Sequence, residues 1–132
     1  MNDLGVLLLT KASYGEAEPL MQRALAIDEA SYGPDHPNVA RDLNNLAQLL
    51  QATNRQEEAE PLMRRSLLLI LMFSRSTGHI HPNLKPACTT YHALLQEMDL
   101  SDEEVGRRLL SLGEDAGFDE GTYRPLLAEL LR

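Results

Sequence analysis

Three histidines and one cysteine are the side chains in this sequence with the most reactive chemistry to offer. His79 and His81 stand two apart with His92 nearby, and imidazoles so placed can be read as metal ligands. A zinc site of that type wants a fourth donor, usually Cys or a carboxylate at defined spacing, and none is evident, so no metal is expected. Cys88 falls on the apolar side of a helical pattern with no motif supplying a base, which reads as an inert core thiol. A glycine-rich phosphate loop and a nucleophile elbow are both missing. No cofactor is expected, and the chain does not read as an enzyme.

What remains is recognition, and the composition narrows the partner. Twelve Lys and Arg against twenty Asp and Glu give a formal charge of −8 over 132 residues, which repels a phosphate backbone or an anionic membrane. Nucleic acid is disfavoured. The longest apolar run, Leu67 to Phe73, is far short of the roughly 18 residues a membrane span needs. The N-terminal Met-Asn-Asp carries no basic lead or cleavage site. A single cysteine cannot staple the chain, so the reducing cytosol is the expected compartment. Two Lys against ten Arg hints at a GC-rich bacterial host.

The elements that must position any site emerge from internal repetition. A shift of 42 positions places Glu16-Ala17-Glu18-Pro19-Leu20-Met21 on Glu58-Ala59-Glu60-Pro61-Leu62-Met63, six identities in a row. A shift of 45 places His36-Pro37-Asn38 on His81-Pro82-Asn83 and Leu49-Leu50-Gln51 on Leu94-Leu95-Gln96, with three residues inserted around Ser74 to Gly78. A period in this range means stacked supersecondary units, none of which buries its apolar face alone. Val39, Leu43, Leu46, Ala47 and Leu50 follow one helical face and predict a helix over 38–52. Ala59, Leu62, Met63, Ser66, Leu67 and Ile70 predict a second over 56–72 after a Thr53-Asn54-Arg55 turn. Gly33-Pro34-Asp35-His36-Pro37 must turn the chain between units. Pro19 and Pro61 fall inside the second helix of each unit and are expected to bend it without breaking it.

At these residues the chain resembles the tetratricopeptide repeat family, in the long 42-residue form of kinesin light chains and many bacterial proteins. The second unit carries the pattern nearly in full, through Leu43, Leu46, Ala47 and Leu50 and then Ala59, Met63 and Ser66; the first matches with Gly5, Leu8, Ala17, Met21 and Ala24. Met21 and Met63 stand where the family often has an aromatic, and Thr90-Tyr91-His92 replaces Asn45-Leu46-Ala47 in the next register. The resemblance implies an all-α fold, a superhelix of stacked helical hairpins. Its divisions are a first repeat over 1–37 with a truncated first helix, a second over 38–82, the start of a degenerate third over 83–100, and a C-terminal helical cap over 101–132. It also implies a non-enzymatic scaffold holding a partner peptide or helix in a concave groove lined by each unit's first helix. The groove positions are then Asn2, Asp3 and Val6; Arg41, Asn44, Asn45 and Gln48; and Thr89, Thr90 and Ala93. Asparagine offers an acceptor and two donors for an extended backbone, and Arg41 a fork for a carboxylate. The same asparagines read equally as groups that close hydrogen bonds within the array.

Beyond Met98 the register is lost. Ser101-Asp102-Glu103-Glu104 is a capping box opening a helix over 102–113, and Thr122 is expected to cap a last helix with Pro125 in its first turn. Residues 61–100 are mildly basic and 101–132 strongly acidic, either a solvated face or a means for the tail to dock on its own array. Asp28 and Glu29, expected on the outer face, give way 42 positions later to Ile70 and Leu71. The run Leu67 to Phe73 is then apolar all round and must be covered, by the C-terminal helices or by another chain. The second alternative makes Ile70, Leu71, Met72 and Phe73 a self-association surface for a homodimer. Met1 falls inside the first helix of the first repeat, so the chain is also expected to be a fragment of a longer array.

Overall fold

The computed structural model describes residues 14–131, and helices are the only regular elements among them. They are α1 (Tyr14–Tyr32), α2 (Pro37–Ala52), α3 (Gln56–Thr77), α4 (Leu84–Glu97), α5 (Asp102–Asp115) and α6 (Glu120–Leu130). Each helix packs on its neighbour along the chain, most extensively α2 on α3, and α3 also reaches α5 while α6 lies against α4 and α5. The fold is an all-α helical repeat. Its core runs through the stack as a strip containing Leu43, Met63, Leu67, Leu71, Leu84, Tyr91, Leu94, Leu95 and Leu112, all fully buried. Burying each such side chain contributes about 1.5–3 kcal/mol.

The same local chemistry opens successive first helices. His36 accepts the backbone N–H of Asn38 on Nδ1 at 3.0 Å, and His81 accepts that of Asn83 in the same way at 3.0 Å. His36 thereby satisfies a donor that the start of α2 leaves free, whereas α4 begins after its N-cap Asn83, which makes no side-chain cap bond. Asn54, at φ +62, makes the tight turn between α2 and α3, and Thr53 Oγ1 donates to the Leu49 and Leu50 carbonyls. α1 is described from Tyr14, and α3 begins at Gln56. Pro19 and Pro61 occupy the same place in these two helices, which run on without interruption. The carbonyls that lose a donor belong to Gly15 and Glu57, both exposed, so water can take the missing bond.

α3 extends five residues past the expected end at 72, to Thr77. The three inserted residues add nearly one turn, which Gly78 closes at φ +74. This turn keeps the helical phase, and Ser74 stays buried, accepting the His81 N–H on Oγ at 3.0 Å. In α5 only half of the capping box forms. Ser101 Oγ accepts the Glu104 N–H at 3.1 Å, but the Glu104 carboxylate is taken by Arg107 and Arg108 instead. Asp119, not Thr122, caps α6, its Oδ1 accepting the Thr122 N–H at 2.7 Å. That start puts Pro125 inside the helix, past its first turn.

The apolar run of α3 is covered largely from within the chain. Leu67, Leu69, Ile70 and Leu71 are all buried, while Met72 and Phe73 remain 37% and 38% exposed. The acidic tail docks on the basic middle through Arg64 and Asp115, and Arg108 lies 3.6 Å from Glu60. Tyr91, fully buried, donates its hydroxyl to the same Glu60 at 2.6 Å. This network ties α3, α4 and α5 into one packing unit.

Candidate functional site

α2 and α4 face each other across α3 and leave a cleft of about 180 Å³ between them. Ala40, Arg41, Asn44 and Gln48 line it from α2, Ser66 and Ile70 form its floor from α3, and Asn83, Pro86, Ala87 and Thr90 close the far wall. Spacing alone explains the α2 wall. Residues 41, 44 and 48 lie on one stripe of the helix, adjacent to the buried stripe of Leu43, Leu46, Ala47 and Leu50. The floor is fixed by Ser66, which is buried and donates its hydroxyl to the Ala40 carbonyl at 2.6 Å. That bond clamps α3 to the first turns of α2.

Arg41, Asn44, Gln48 and Thr90, expected in a groove from the sequence, thus meet at one place. Arg41 and Gln48 are exposed. Asn44 is half-buried, and its Oδ1 is a buried acceptor without a hydrogen-bond partner. Leaving such an atom unpaired costs about 1–3 kcal/mol. The other expected groove residues are disposed differently. Asn45 is half-buried on α2 and outside the cleft lining. Thr89 is exposed on α4 with its hydroxyl donated to the Lys85 carbonyl at 3.0 Å, and Thr90 turns its own to the Pro86 carbonyl at 2.8 Å. Ala93 is exposed. Asn2, Asp3 and Val6 lie outside the described residues. Further along the same two helices, Gln51 of α2 donates to the Glu97 carboxylate of α4.

Sequence reading missed the acidic junction beside the cleft. Asp28 does not point outward from α1; it turns to α2, where Arg41 Nη2 lies 3.7 Å from its Oδ2. Arg41 Nε lies 3.8 Å from Oδ1 of Asp42. Asp42 is only 6% exposed, and its Oδ2 is buried without a hydrogen-bond partner. Burial, then the facing Asp28 carboxyl, push Asp42 up to about 7, with the Arg41 charge pulling the other way. One signal was available. Asp42 sits one residue before Leu43 on the buried side of α2, where a carboxylate has no local reason to be.

Elsewhere the reactive side chains are committed to structure. His36 caps α2, and His81 accepts the N–H of Asn83 just ahead of α4. Tyr32 stacks on His36 with centroids 4.5 Å apart, and Phe73 meets His81 edge-on at 5.6 Å. Among the described residues no three His, Cys, Asp or Glu come together to hold a metal ion. Cys88 is 1% exposed, and burial pushes its thiol up to about 11, so the thiolate is scarce at neutral pH. Among the described residues no helix is long and apolar enough to cross a membrane.

Ile70 and Leu71, expected to contribute to a self-association surface, are 4% and 0% exposed because the chain's own helices cover them. What α3 still offers outward is Met72 and Phe73, with Ile80, 56% exposed, in the loop that follows.

The model of the family described as Tetratricopeptide repeat matches residues 1–67, half of the chain. No curated protein matches the chain.

Proposed function

The chain belongs to the tetratricopeptide repeat family, and from that premise we propose that it is a non-enzymatic scaffold that holds a partner peptide or helix in the cleft between α2 and α4. The observation that carries this reading is the unpartnered Oδ1 of Asn44 in the wall of that cleft. A buried acceptor of this kind is satisfied by an N–H arriving from outside, and an extended peptide supplies one at every residue. Arg41 and Gln48 give the same stripe a cation and a second amide, and Asn45, Thr89 and Asn2 belong to this reading as residues the family resemblance assigns to the groove. The long 42-residue repeat type, like that of kinesin light chains, is part of this reading and is supported by Pro19 of α1 and Pro61 of α3, which lie 42 positions apart inside their helices. So are a cytoplasmic, bacterial setting, a partner that is neither nucleic acid nor membrane, and the division into repeats over 1–37, 38–82 and 83–100 with a cap over 101–132. The test is capture of partners by the native chain and by the double variant Asn44→Ala, Asn45→Ala. Partners held by the native chain should be lost from a variant whose helical circular dichroism is unchanged. Undiminished capture would refute the groove.

A second reading, self-association, is favoured by the exposure of Met72, Phe73 and Ile80 close together in sequence at the end of α3. It predicts a dimer in light scattering that Phe73→Glu dissociates, and a monodisperse monomer would remove it.

A further inference from the structure

The two junctions between consecutive units are built differently, and the difference lies beside the cleft. Under the shifts that superpose the repeats, Asp28 corresponds to Ile70 and Asp42 to Ala87. Ile70 and Ala87 are buried and apolar, so the fold closes this junction without any carboxylate. The first junction instead holds two acids against a single arginine that also lines the cleft.

We propose that capture of a carboxylate by Arg41 is linked to proton uptake by Asp42, buried against Asp28, so that the groove holds an acidic partner segment more tightly in mild acid than in mild alkali. The inference rests on the groove reading above and adds its regulation. With both acids ionised, Arg41 faces two carboxylates at 3.7 and 3.8 Å, and the cluster carries a net negative charge that repels an incoming carboxylate. One proton on the pair removes that excess and leaves the guanidinium balanced by a single acid. Asp42 cannot relieve the crowding by turning to water, because it is 6% exposed with an unpartnered buried oxygen. The facing carboxyl and the burial together bring its titration close to pH 7.

Few other charges act on the pair. From α1 the neighbouring Glu29 is engaged by Arg65 of α3 at 3.4 Å, and Arg65 also donates to the Pro34 carbonyl. α3 meets this turn of α2 through the neutral Ser66, which donates to the Ala40 carbonyl. His36, stacked on Tyr32, caps the start of α2. The cleft wall contributed by α4 is uncharged: Asn83, Pro86, Ala87 and Thr90. One charge at this range in a partly buried site changes affinity roughly tenfold.

The test follows the full chain by NMR from pH 5.5 to 8.5, reading the Arg41 Nε–H resonance alone and with two blocked probe pentapeptides, Glu-Ala-Glu-Ala-Glu and its glutamine counterpart. The Arg41 resonance should shift as the neighbouring Asp42 loses its proton near neutrality. The acidic peptide should bind roughly tenfold more tightly at pH 6 than at pH 8, and the glutamine peptide equally at both. In Asp42→Asn the pH-dependent shift of the Arg41 resonance should vanish and the acidic peptide should bind at pH 8 as the native chain does at pH 6; Asp28→Asn, which leaves Asp42 buried but removes the facing charge, should move that shift to lower pH. An Arg41 resonance that stays flat overturns the linkage while leaving groove capture standing. A pH-responsive Arg41 resonance with neither peptide bound at any pH overturns the groove and the linkage with it, and a pH dependence that persists in Asp42→Asn overturns the linkage.

Discussion

Asp42 and Asn44 sit two residues apart on α2, and each keeps a buried oxygen without a partner. For Asp42 this has a consequence for stability that does not depend on any ligand. Its folded value of about 7 lies above the usual 3.8, so between those values the folded chain holds a proton that the unfolded chain has released. The stability that protonated Asp42 contributes is complete below about pH 3.8, falls as pH rises from there toward 7 and is gone above it. Asp42→Asn keeps the shape and removes the charge. It should raise stability at pH 8 by up to about 4 kcal/mol, since each tenfold change in proton affinity on folding is worth about 1.4 kcal/mol and the folded and usual values lie about three powers of ten apart, and leave pH 3.5 little changed. Thermal unfolding at the two pH values checks this; a variant as pH-sensitive as the native chain over that range would refute it. Exposed carboxylates act with the opposite sign. Arg55 holds Glu58 below the carboxylate range, Arg107 and Arg108 do so for Glu104, and the Thr122 N–H does so for Asp119. Their contribution is present at neutral pH and lost as the acid form returns at low pH.

At the scale of elements, α5 and α6 show what the sequence could and could not specify. The array's helices were legible because their apolar stripes and turn residues repeat, and the α2 wall of the cleft followed from the same register. The start of α6 was not. Asp119 and Thr122 are both competent caps, and the choice between them is made by a distant contact: Tyr123 lies against Gly113 and donates its hydroxyl to the Leu109 carbonyl at 2.8 Å. The inward turn of Asp28 was illegible for a similar reason, since it depends on which helix lies opposite. Gly113 is the position where this packing can be tested. A Cβ there would stand 2.3 Å from the Tyr123 ring, so Gly113→Ala must push the ring out and break its hydroxyl bond. The expected loss is about 2–3 kcal/mol in denaturant titration. Gly106→Ala, on the same helix with open space around the added carbon, should be neutral or stabilise by about 0.5–1 kcal/mol through helix propensity. Equal effects at the two glycines would mean that α6 is not held by this contact.

Across the whole molecule, each helix leans mainly on its chain neighbours, so the stack is nearly one-dimensional and its last members bear on its solubility. α3 carries the most apolar stretch, and only Met72 and Phe73 of it reach the surface. Its cover includes α5, joined to α3 through Arg64 with Asp115 and Arg108 with Glu60. α6 then closes over α4 and α5 with Tyr123, Leu127 and Leu130 buried. A chain ending at residue 100 would lose both helices and uncover part of the face that α3 and α4 now share with them. It would also leave Glu60 with the Tyr91 hydroxyl but without Arg108. Exposed apolar surface of that extent drives association in water. The shortened chain should keep helical circular dichroism for α2 and α3, whose mutual packing it retains, yet show a light-scattering mass that rises with concentration beyond that of the full chain under the same conditions. If it is as monodisperse as the full chain, residues 101–132 are an appendage and not the cap of the array. A surface charge such as Phe73→Glu should rescue the shortened chain only weakly, because most of the newly uncovered area would lie on the other flank of α3, among residues that α5 covers.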